Sequence, residues 1–144
     1  MQIVDFEERP WGYYEVLLEL PETKVKQITV DNSHRLSYQY HEHRDETWVV
    51  VAGKAKVTLD GKNTIVEPGQ TIQITRGVKH RVEAIGKEDL TFIEVQTGDY
   101  FGEDDIVRLE DDYERAELEH LRDNNYIGGL TMPIKNTNKL NKDE

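Results

Sequence analysis

The sequence predicts an all-β domain, a sandwich or barrel of short strands, and two observations carry this prediction. From Tyr13 to Gln96, short apolar runs alternate with turn residues at a spacing typical of sandwiches and barrels. The dipeptide Asp60-Gly61 joins two such runs, and Asp-Gly favours the type I′ turn of a β-hairpin. The 144-residue chain has no cysteine, and its length allows a core that needs no disulfide.

The strands themselves are predicted from alternation of apolar and polar residues. In Ala55–Leu59, for example, every second residue is apolar, as in a strand with one buried face. The predicted strands are Tyr13–Leu20, Lys24–Val30, Arg35–His41, Glu46–Val51, Ala55–Leu59, Asn63–Val66, Thr71–Ile74, Arg81–Ala84 and Leu90–Gln96.

The pattern changes after Gly98, where the chain becomes acidic and then rich in Asn, Gly and Lys. We expect loops at Gly102–Asp105 and Glu110–Asp112, because these runs offer little to bury. Tyr113–Arg122 is predicted to form a short C-terminal helix, and Asn136–Glu144 a flexible tail.

The formal net charge of −11 excludes several classes of partner. Such a field repels nucleic acid and anionic lipid, so neither is expected to bind. No apolar run is long enough for a membrane helix, and the acidic start lacks the apolar region of a secretory signal. The sequence therefore predicts a cytoplasmic protein, in which any anionic ligand requires a local cluster of cations.

One segment has the spacing of a metal site. Gln39 and His41 lie two residues apart on a predicted strand and therefore share a face. The order and spacing of His41, Glu46 and Gly53 resemble the first cupin motif, and those of Gly69, Gly77 and His80 resemble the second. Thr75 and Ala84 replace a Pro and an Asn of the second motif, neither of which is a metal ligand.

This resemblance implies a cupin, a double-stranded β-helix or jelly-roll barrel, with one divalent ion. Gln39 stands where the first His of the cupin motif usually stands, so the implied ligands are Gln39, His41, Glu46 and His80. Two imidazoles and two oxygens suit zinc, manganese, iron or cobalt. An alternative register, in which His41 and His43 form the His-x-His pair, leaves only two residues before Glu46.

A closer resemblance covers residues 7–115. The blocks that carry it are Arg9-Pro10-Trp11-Gly12, Leu36–His41, Trp48–Val51, Ile93–Gly98 and Tyr100–Arg108, and they resemble the cupin domain of type II mannose-6-phosphate isomerases. The resemblance implies a cupin domain over 1–115 and a C-terminal extension over 116–144. It also implies a homodimer, with no mannose-1-phosphate guanylyltransferase domain in this chain.

The implied activity is a metal-dependent isomerase that interconverts mannose 6-phosphate and fructose 6-phosphate. The alternative is a non-catalytic cupin that binds a sugar or a sugar nucleotide. A different metal-cupin enzyme, such as an oxygenase or decarboxylase, is disfavoured by Gln39 and by the Arg-Pro-Trp-Gly block.

The isomerase hypothesis assigns a role to several further residues. Glu94 is the first candidate for the general base and the acidic run Glu103–Asp105 the second, while Arg44 and then Arg81 are the candidates for holding the phosphate. Lys26 and Gln96 would contact the substrate if their strand faces point inward. Whether Lys26, Glu94 and Gln96 face the interior stays open, as does a sugar-stacking role for Trp11; Trp48 is expected in the core.

Overall fold

A computed structural model describes residues 2–113, which form eleven β-strands and one short 3-10 turn. The strands are β1 (Asp5–Arg9), β2 (Gly12–Leu20), β3 (Thr23–Val30), β4 (Tyr38–His41), β5 (Arg44–Ala52), β6 (Lys54–Leu59), β7 (Lys62–Val66), β8 (Thr71–Ile74), β9 (His80–Ile85), β10 (Leu90–Gly98) and β11 (Ile106–Glu110). The 3-10 turn Glu103–Asp105 precedes β11. The prediction of an all-β domain is confirmed.

The strands form two antiparallel sheets. The first sheet has the order β1-β2-β3-β10-β5-β8, and the second has the order β11-β4-β9-β6-β7. Sequence neighbours β4 and β5, and likewise β5 and β6, lie in different sheets, so the chain crosses repeatedly between them. This is the connectivity of a jelly-roll, in which the two inner faces enclose one core.

The enclosed space has an apolar half and a polar half. On β10 the inward residues are Leu90 and Phe92, followed by Glu94 and Gln96. The register pairs Gln96 with Glu46, and Phe92 with Val50, so β5 changes character at the same level. On the opposite sheet, His80 lies at the polar level and Val82 and Ala84 at the apolar level. Polar groups are therefore gathered at one end of the barrel.

Two strands were not predicted, and both are at sheet edges. In β1 three of five residues are acidic, and Phe6 is exposed, so its alternation does not mark a buried face. In β11 the exposed residues include Val107 and Leu109, which breaks the expected pattern of outward polar residues. Charged edge strands are common because charge prevents edge-to-edge pairing. Both become strands through hydrogen bonding to a neighbour, β1 to β2 and β11 to β4, and not through an alternation of apolar residues in their own sequence.

Two other predicted boundaries differ from the structure, one at the start of β4 and one at the end of β11. The predicted strand Arg35–His41 begins only at Tyr38, and Arg35 instead forms an isolated bridge with Glu83. The predicted loop at Glu110–Asp112 is wrong at Glu110, which ends β11. The predicted helix Tyr113–Arg122, apart from Tyr113 itself, lies outside the described residues, as do the predicted tail and the boundary between domain 1–115 and extension 116–144. Across residues 2–113 no helix has the length and apolarity to cross a bilayer.

The predicted hairpin at Asp60-Gly61 is present. Asp60 and Gly61 have φ values of 45° and 83°, and Leu59 pairs with Lys62 across the turn. Both central residues of a type I′ turn need positive φ, which explains the selection of Asp-Gly. Gly53 also has positive φ, 84°, but it is buried where β5 passes to β6.

These two glycines allow a matched test of fold stability. A Cβ at Gly53 would collide with the carbonyl oxygen of Asp89 and lie 2.9 Å from the Cα of Leu90, whereas a Cβ at Gly61 meets nothing within 4 Å. Gly61→Ala should therefore cost only the left-handed penalty, about 1 kcal/mol. Gly53→Ala should cost roughly 1–3 kcal/mol more, because backbone must also shift. Urea denaturation measures both, and equal losses would contradict the steric account.

Candidate metal and ligand site

The polar half of the barrel interior gathers eight buried side chains. They come from β3, β4, β5, β9 and β10, and they are Lys26, Gln39, His41, Arg44, Glu46, His80, Glu94 and Gln96. Each is buried because period-two alternation turns it inward from its strand. All four implied metal ligands are in this set, and so are Lys26, Arg44, Glu94 and Gln96, whereas Arg81 and the run Glu103–Asp105 are not.

Three of these side chains converge closely enough to hold an ion. The Nε2 atom of His41 lies 3.2 Å from Oε2 of Glu46, and Nε2 of His80 lies 4.0 Å from Oε1 of the same carboxylate. Ligand atoms of the three residues all lie within 4.8 Å of one another. Two imidazole nitrogens and a carboxylate oxygen are a donor set that divalent transition metals accept.

His80 is oriented for such a role by its own backbone neighbour. Its Nδ1 lies 2.9 Å from the carbonyl oxygen of Val78, to which it donates. In the neutral ring, a proton held on Nδ1 leaves the lone pair on Nε2, the nitrogen that lies on the Glu46 side. A hydrogen bond of this kind, on the nitrogen opposite to the metal-binding one, is the usual way proteins fix a histidine ligand.

Gln39 lies opposite His80 on the neighbouring strand. It is the cross-strand partner of His80 in the β4–β9 ladder and is 2% exposed. Gln39, which the sequence predicts as the fourth ligand, therefore lies at the same level of the barrel as His80. The alternative ligand His43 does not reach the interior, because β4 ends at His41 and the turn that follows leaves His43 exposed.

Arg44 lies directly beside the candidate ligands. Its Nε donates to Oε2 of Glu46 at 2.9 Å, and one terminal nitrogen lies 3.2 Å from Nε2 of His41. Burial alone would raise the pKa of Glu46, but Arg44 and the two histidines outweigh it, so the pKa lies well below its usual range. The carboxylate is therefore ionised and able to bind a cation.

Glu94 faces the interior, which settles the question left open by the sequence. Gln96 donates its side-chain N–H to Oε1 of Glu94, and Lys26 is the cross-strand partner of Glu94 on β3. Burial, and then the charge of Glu46, raise the pKa of Glu94 to about 7, although Lys26 and Arg44 oppose the rise. Lys26 and Gln96 thus also face inward, at 2% and 0% exposure.

Arg81 is placed outside this site, contrary to the expectation that it binds phosphate. His80 faces inward, so the next residue on β9 faces outward. The Arg81 guanidinium donates to the carbonyl oxygen of Leu36 at 2.9 Å and to the side chain and carbonyl of Glu110 at 3.3 and 3.2 Å. On the outer face of the second sheet, it therefore links β9 to Leu36, just before β4, and to the end of the edge strand β11.

Both tryptophans are structural. Trp48 stacks near Phe92, with ring centroids 4.7 Å apart, and its indole N–H donates to Oε1 of Glu46 at 3.0 Å. It therefore packs the core and also orients the candidate ligand. Trp11 is 1% exposed within the hydrophobic core, so it offers no face on which a sugar could stack.

Four residues at the rim of the site received no secure role from the sequence. Asp105, one of the alternative bases, instead accepts the backbone N–H groups of Glu42 and His43, each at 3.0 Å, and so holds the β4–β5 turn. Arg9, Tyr14 and Glu103 form a second cluster with Lys26. Tyr14 and Val16 are two residues apart on β2 and share a buried face, and this spacing could have predicted that Tyr14 faces the interior.

Comparison with known proteins agrees with this architecture. The family described as Mannose-6-phosphate isomerase C-terminal matches residues 3–111. A mannose-1-phosphate guanylyltransferase of Klebsiella pneumoniae is 41% identical over 75% of this chain, and that of Escherichia coli K12 is 47% identical over 75%. The match covers 23% of each relative, so this chain spans under a quarter of their length and corresponds to their C-terminal cupin domain.

Solved structures confirm the cupin fold. An RmlC-like cupin from Shewanella frigidimarina has a TM-score of 0.59 and 18% identity, covering 65% of this chain and 83% of its own. The predicted double-stranded β-helix is thus confirmed, with a His/Glu/His group in the interior able to hold a metal.

The predicted isomerase activity is contradicted by the same comparisons. Curated relatives are named mannose-1-phosphate guanylyltransferases, which transfer a nucleotidyl group, and not aldose–ketose isomerases. The assignment of mannose 6-phosphate isomerase, and with it the role of Glu94 as the base of that reaction, is therefore wrong. The physical reason for the error is that fold and site resemblance carry a family's architecture but not its chemistry.

The raised pKa of Glu94 predicts a specific pH dependence of stability. Its folded pKa of about 7 exceeds the unfolded value of 4.5, so the folded protein binds the proton more tightly. The stability contributed by this group is therefore full below pH 4.5 and is lost as pH rises to about 7. Glu94→Gln should gain stability relative to the parent protein between pH 5 and 8, by up to roughly 3 kcal/mol.

Urea denaturation in the presence of a chelator measures this difference, because other titrating groups cancel between the two proteins. Glu19→Gln, which replaces a carboxylate of 53% side-chain exposure, is the matched control and should show no trend. A difference that stays constant from pH 5 to 8 would contradict the placement of Glu94 in a dry interior.

Proposed function

This chain belongs to the Mannose-6-phosphate isomerase C-terminal family, and from that premise we propose that it is a non-catalytic, metal-holding cupin that binds a mannose phosphate or the corresponding sugar nucleotide. The convergence of His41, Glu46 and His80 on one buried point is the observation that carries the proposal. Relatives named for guanylyl transfer to mannose 1-phosphate supply the ligand class.

In this proposal, one divalent ion is held by His41, Glu46 and His80, with Gln39 as fourth donor. The ionised state of Glu46 and the orientation of His80 support it. Zinc, manganese, iron and cobalt all accept this donor set. When bound, the ion supplies a fixed positive charge that attracts hydroxyl or phosphate oxygens.

The net charge of −11 opposes the binding of an anionic sugar phosphate, so local cations are required beside the site. Lys26 and Arg44 are both 2% exposed and face the polar half of the interior, where low dielectric strengthens their attraction for an anion. Gln96 offers an amide at the same level. Lys26, Arg44 and Gln96 are therefore the proposed ligand-binding residues beside the metal.

A homodimer belongs to the same proposal. The edge strand β1 and the residues before it expose apolar side chains, with Ile3 at 45%, Val4 at 58% and Phe6 at 52% exposure. Exchange or pairing of this edge between two copies would cover them, as edge strands commonly require.

The ligand assignment predicts a selective loss of metal affinity. His80→Ala and Glu46→Gln should each weaken the binding of Mn²⁺ or Zn²⁺ by at least about a hundredfold, since each removes one direct ligand. His43→Ala changes a histidine that lies two residues from His41 but is exposed, so it should leave affinity within about twofold. Calorimetric titration of the chelator-stripped proteins measures both. Equal losses in His43→Ala and His80→Ala would overturn the ligand set.

The function is tested by ligand binding to the metal-loaded protein. Mannose 1-phosphate or GDP-mannose should bind at least about tenfold more tightly than mannose, because a phosphate adds charge-assisted hydrogen bonds. Calorimetry gives the affinities, and NMR of the recovered sugar phosphate should show it chemically unchanged. Absence of binding of both phosphorylated ligands at millimolar concentration, or their conversion to another sugar, would reject the proposal.

A further inference from the structure

A cluster beside the interior contains two buried cations, of which Lys26 pairs with the partly exposed Glu103 and Arg9 is linked to it through Tyr14. Nζ of Lys26 lies 3.6 Å from Oε1 of Glu103, and the hydroxyl of Tyr14 donates to the same oxygen at 3.1 Å. One terminal nitrogen of Arg9 donates to the Tyr14 hydroxyl at 3.1 Å. The cluster thus joins β1, β2 and β3 of the first sheet to the 3-10 turn Glu103–Asp105.

The aromatic ring of Tyr14 holds both cations in place. Nζ of Lys26 lies 4.2 Å from the ring centroid, and the guanidinium carbon of Arg9 lies 5.0 Å from it. Such cation–π contacts strengthen when they are desolvated. The side chains of Lys26 and Arg9 are 3% and 5% exposed, so these positive charges are fixed and poorly hydrated.

Glu103 is the most exposed member of the cluster, and only one of its two carboxylate oxygens makes hydrogen bonds within the described residues. Its side chain is 25% exposed, against 3% for Lys26 beneath it. One carboxylate oxygen serves both Tyr14 and Lys26, whereas Oε2 is buried and makes no hydrogen bond within residues 2–113. Nε of Arg9 is also buried without a hydrogen-bond partner there. Buried polar atoms of this kind are rare and call for an explanation.

We propose that Arg9, Tyr14 and Lys26 form an oxyanion subsite for the phosphate of the sugar ligand, and that Glu103 is its internal occupant, which the ligand displaces. This inference rests on the proposed function. A phosphate monoester presents three terminal oxygens, enough to accept from Lys26, Tyr14 and Arg9 together, whereas Glu103 uses one oxygen for two of them.

The position of the cluster suits a ligand that also reaches the candidate metal site. Lys26 is the cross-strand partner of Glu94, which in turn lies beside Trp48 of β5. Glu46 lies two residues before Trp48 on β5 and pairs with Gln96, so Glu94 and Gln96 of β10 lie between the subsite and the His41, Glu46 and His80 group. A phosphorylated sugar lying across Glu94 would contact both.

Displacement of Glu103 leaves the neighbouring contacts intact. Asp105, two residues further on, holds the β4–β5 turn through two backbone N–H groups. Rotation of the Glu103 side chain would break its contacts with Lys26 and Tyr14 and would not require those two bonds to break. Glu7 also contacts Arg9 at 3.3 Å, but it is 43% exposed and is already largely hydrated.

Orthophosphate tests the subsite without requiring the sugar or the metal. Glu103→Gln removes the competing charge and should bind orthophosphate about tenfold more tightly than the parent chain, because the competent state is no longer masked. Glu19→Gln is the matched control, since Glu19 faces Lys24 at the same 3.6 Å separation away from the cluster. Titration followed by ³¹P NMR, with chelator present, gives the affinities.

Lys26→Met and Arg9→Met, each combined with Glu103→Gln, should abolish the gain, and thermal melts confirm that the variants are folded. Equal phosphate affinity in Glu103→Gln and Glu19→Gln would overturn the subsite, even if mannose 1-phosphate binds elsewhere. If the gain is present but mannose 1-phosphate binds no better than orthophosphate, the subsite stands and the proposed sugar-phosphate function fails.

Discussion

A buried carboxylate organises the interior of this barrel. Glu46 accepts hydrogen bonds from Arg44 at 2.9 Å and from the indole of Trp48 at 3.0 Å, and both histidines of the candidate site lie within 4.0 Å of it. An ionised carboxylate in a dry interior costs several kcal/mol unless its partners are fixed around it. Arg44 is buried for the same reason, so each charge requires the other, and the aromatic core is connected to both.

The interior is divided into an apolar half that stabilises the fold and a polar half that holds charged groups. The apolar level around Phe92, Val50 and Val82 buries the surface that stabilises the barrel. The polar level then tolerates groups that oppose folding, such as Glu94, whose pKa is raised to about 7 by burial. Functional sites characteristically hold such groups, and the free energy gained by the neighbouring apolar core offsets their destabilising effect.

Much of this architecture follows from period two in the sequence. Most strand positions, the Asp60-Gly61 hairpin and the shared face of Gln39 and His41 were predictable from local pattern. His80 precedes the predicted strand Arg81–Ala84, and only the cupin resemblance marked it as a site residue. The face of Glu94 was not predictable, because both alternating sets on β10 contain apolar residues. The position of Arg81 was not predictable from its proximity to His80, because adjacent residues of a strand point to opposite faces of the sheet. The prediction of isomerase activity was wrong for a different reason, because resemblance to a family identifies the fold and not the reaction.

The two hydrogen bonds that Asp105 accepts span 62 and 63 positions of sequence. They fasten the turn between the strands that carry His41 and Glu46, and β11, which pairs with β4, follows Asp105 directly. During synthesis on the ribosome, His41 and Glu46 therefore emerge long before the residue that holds the turn between them. Final closure of the candidate site must wait for the segment around Asp105, so a chain released before that segment would lack the contacts that hold this turn.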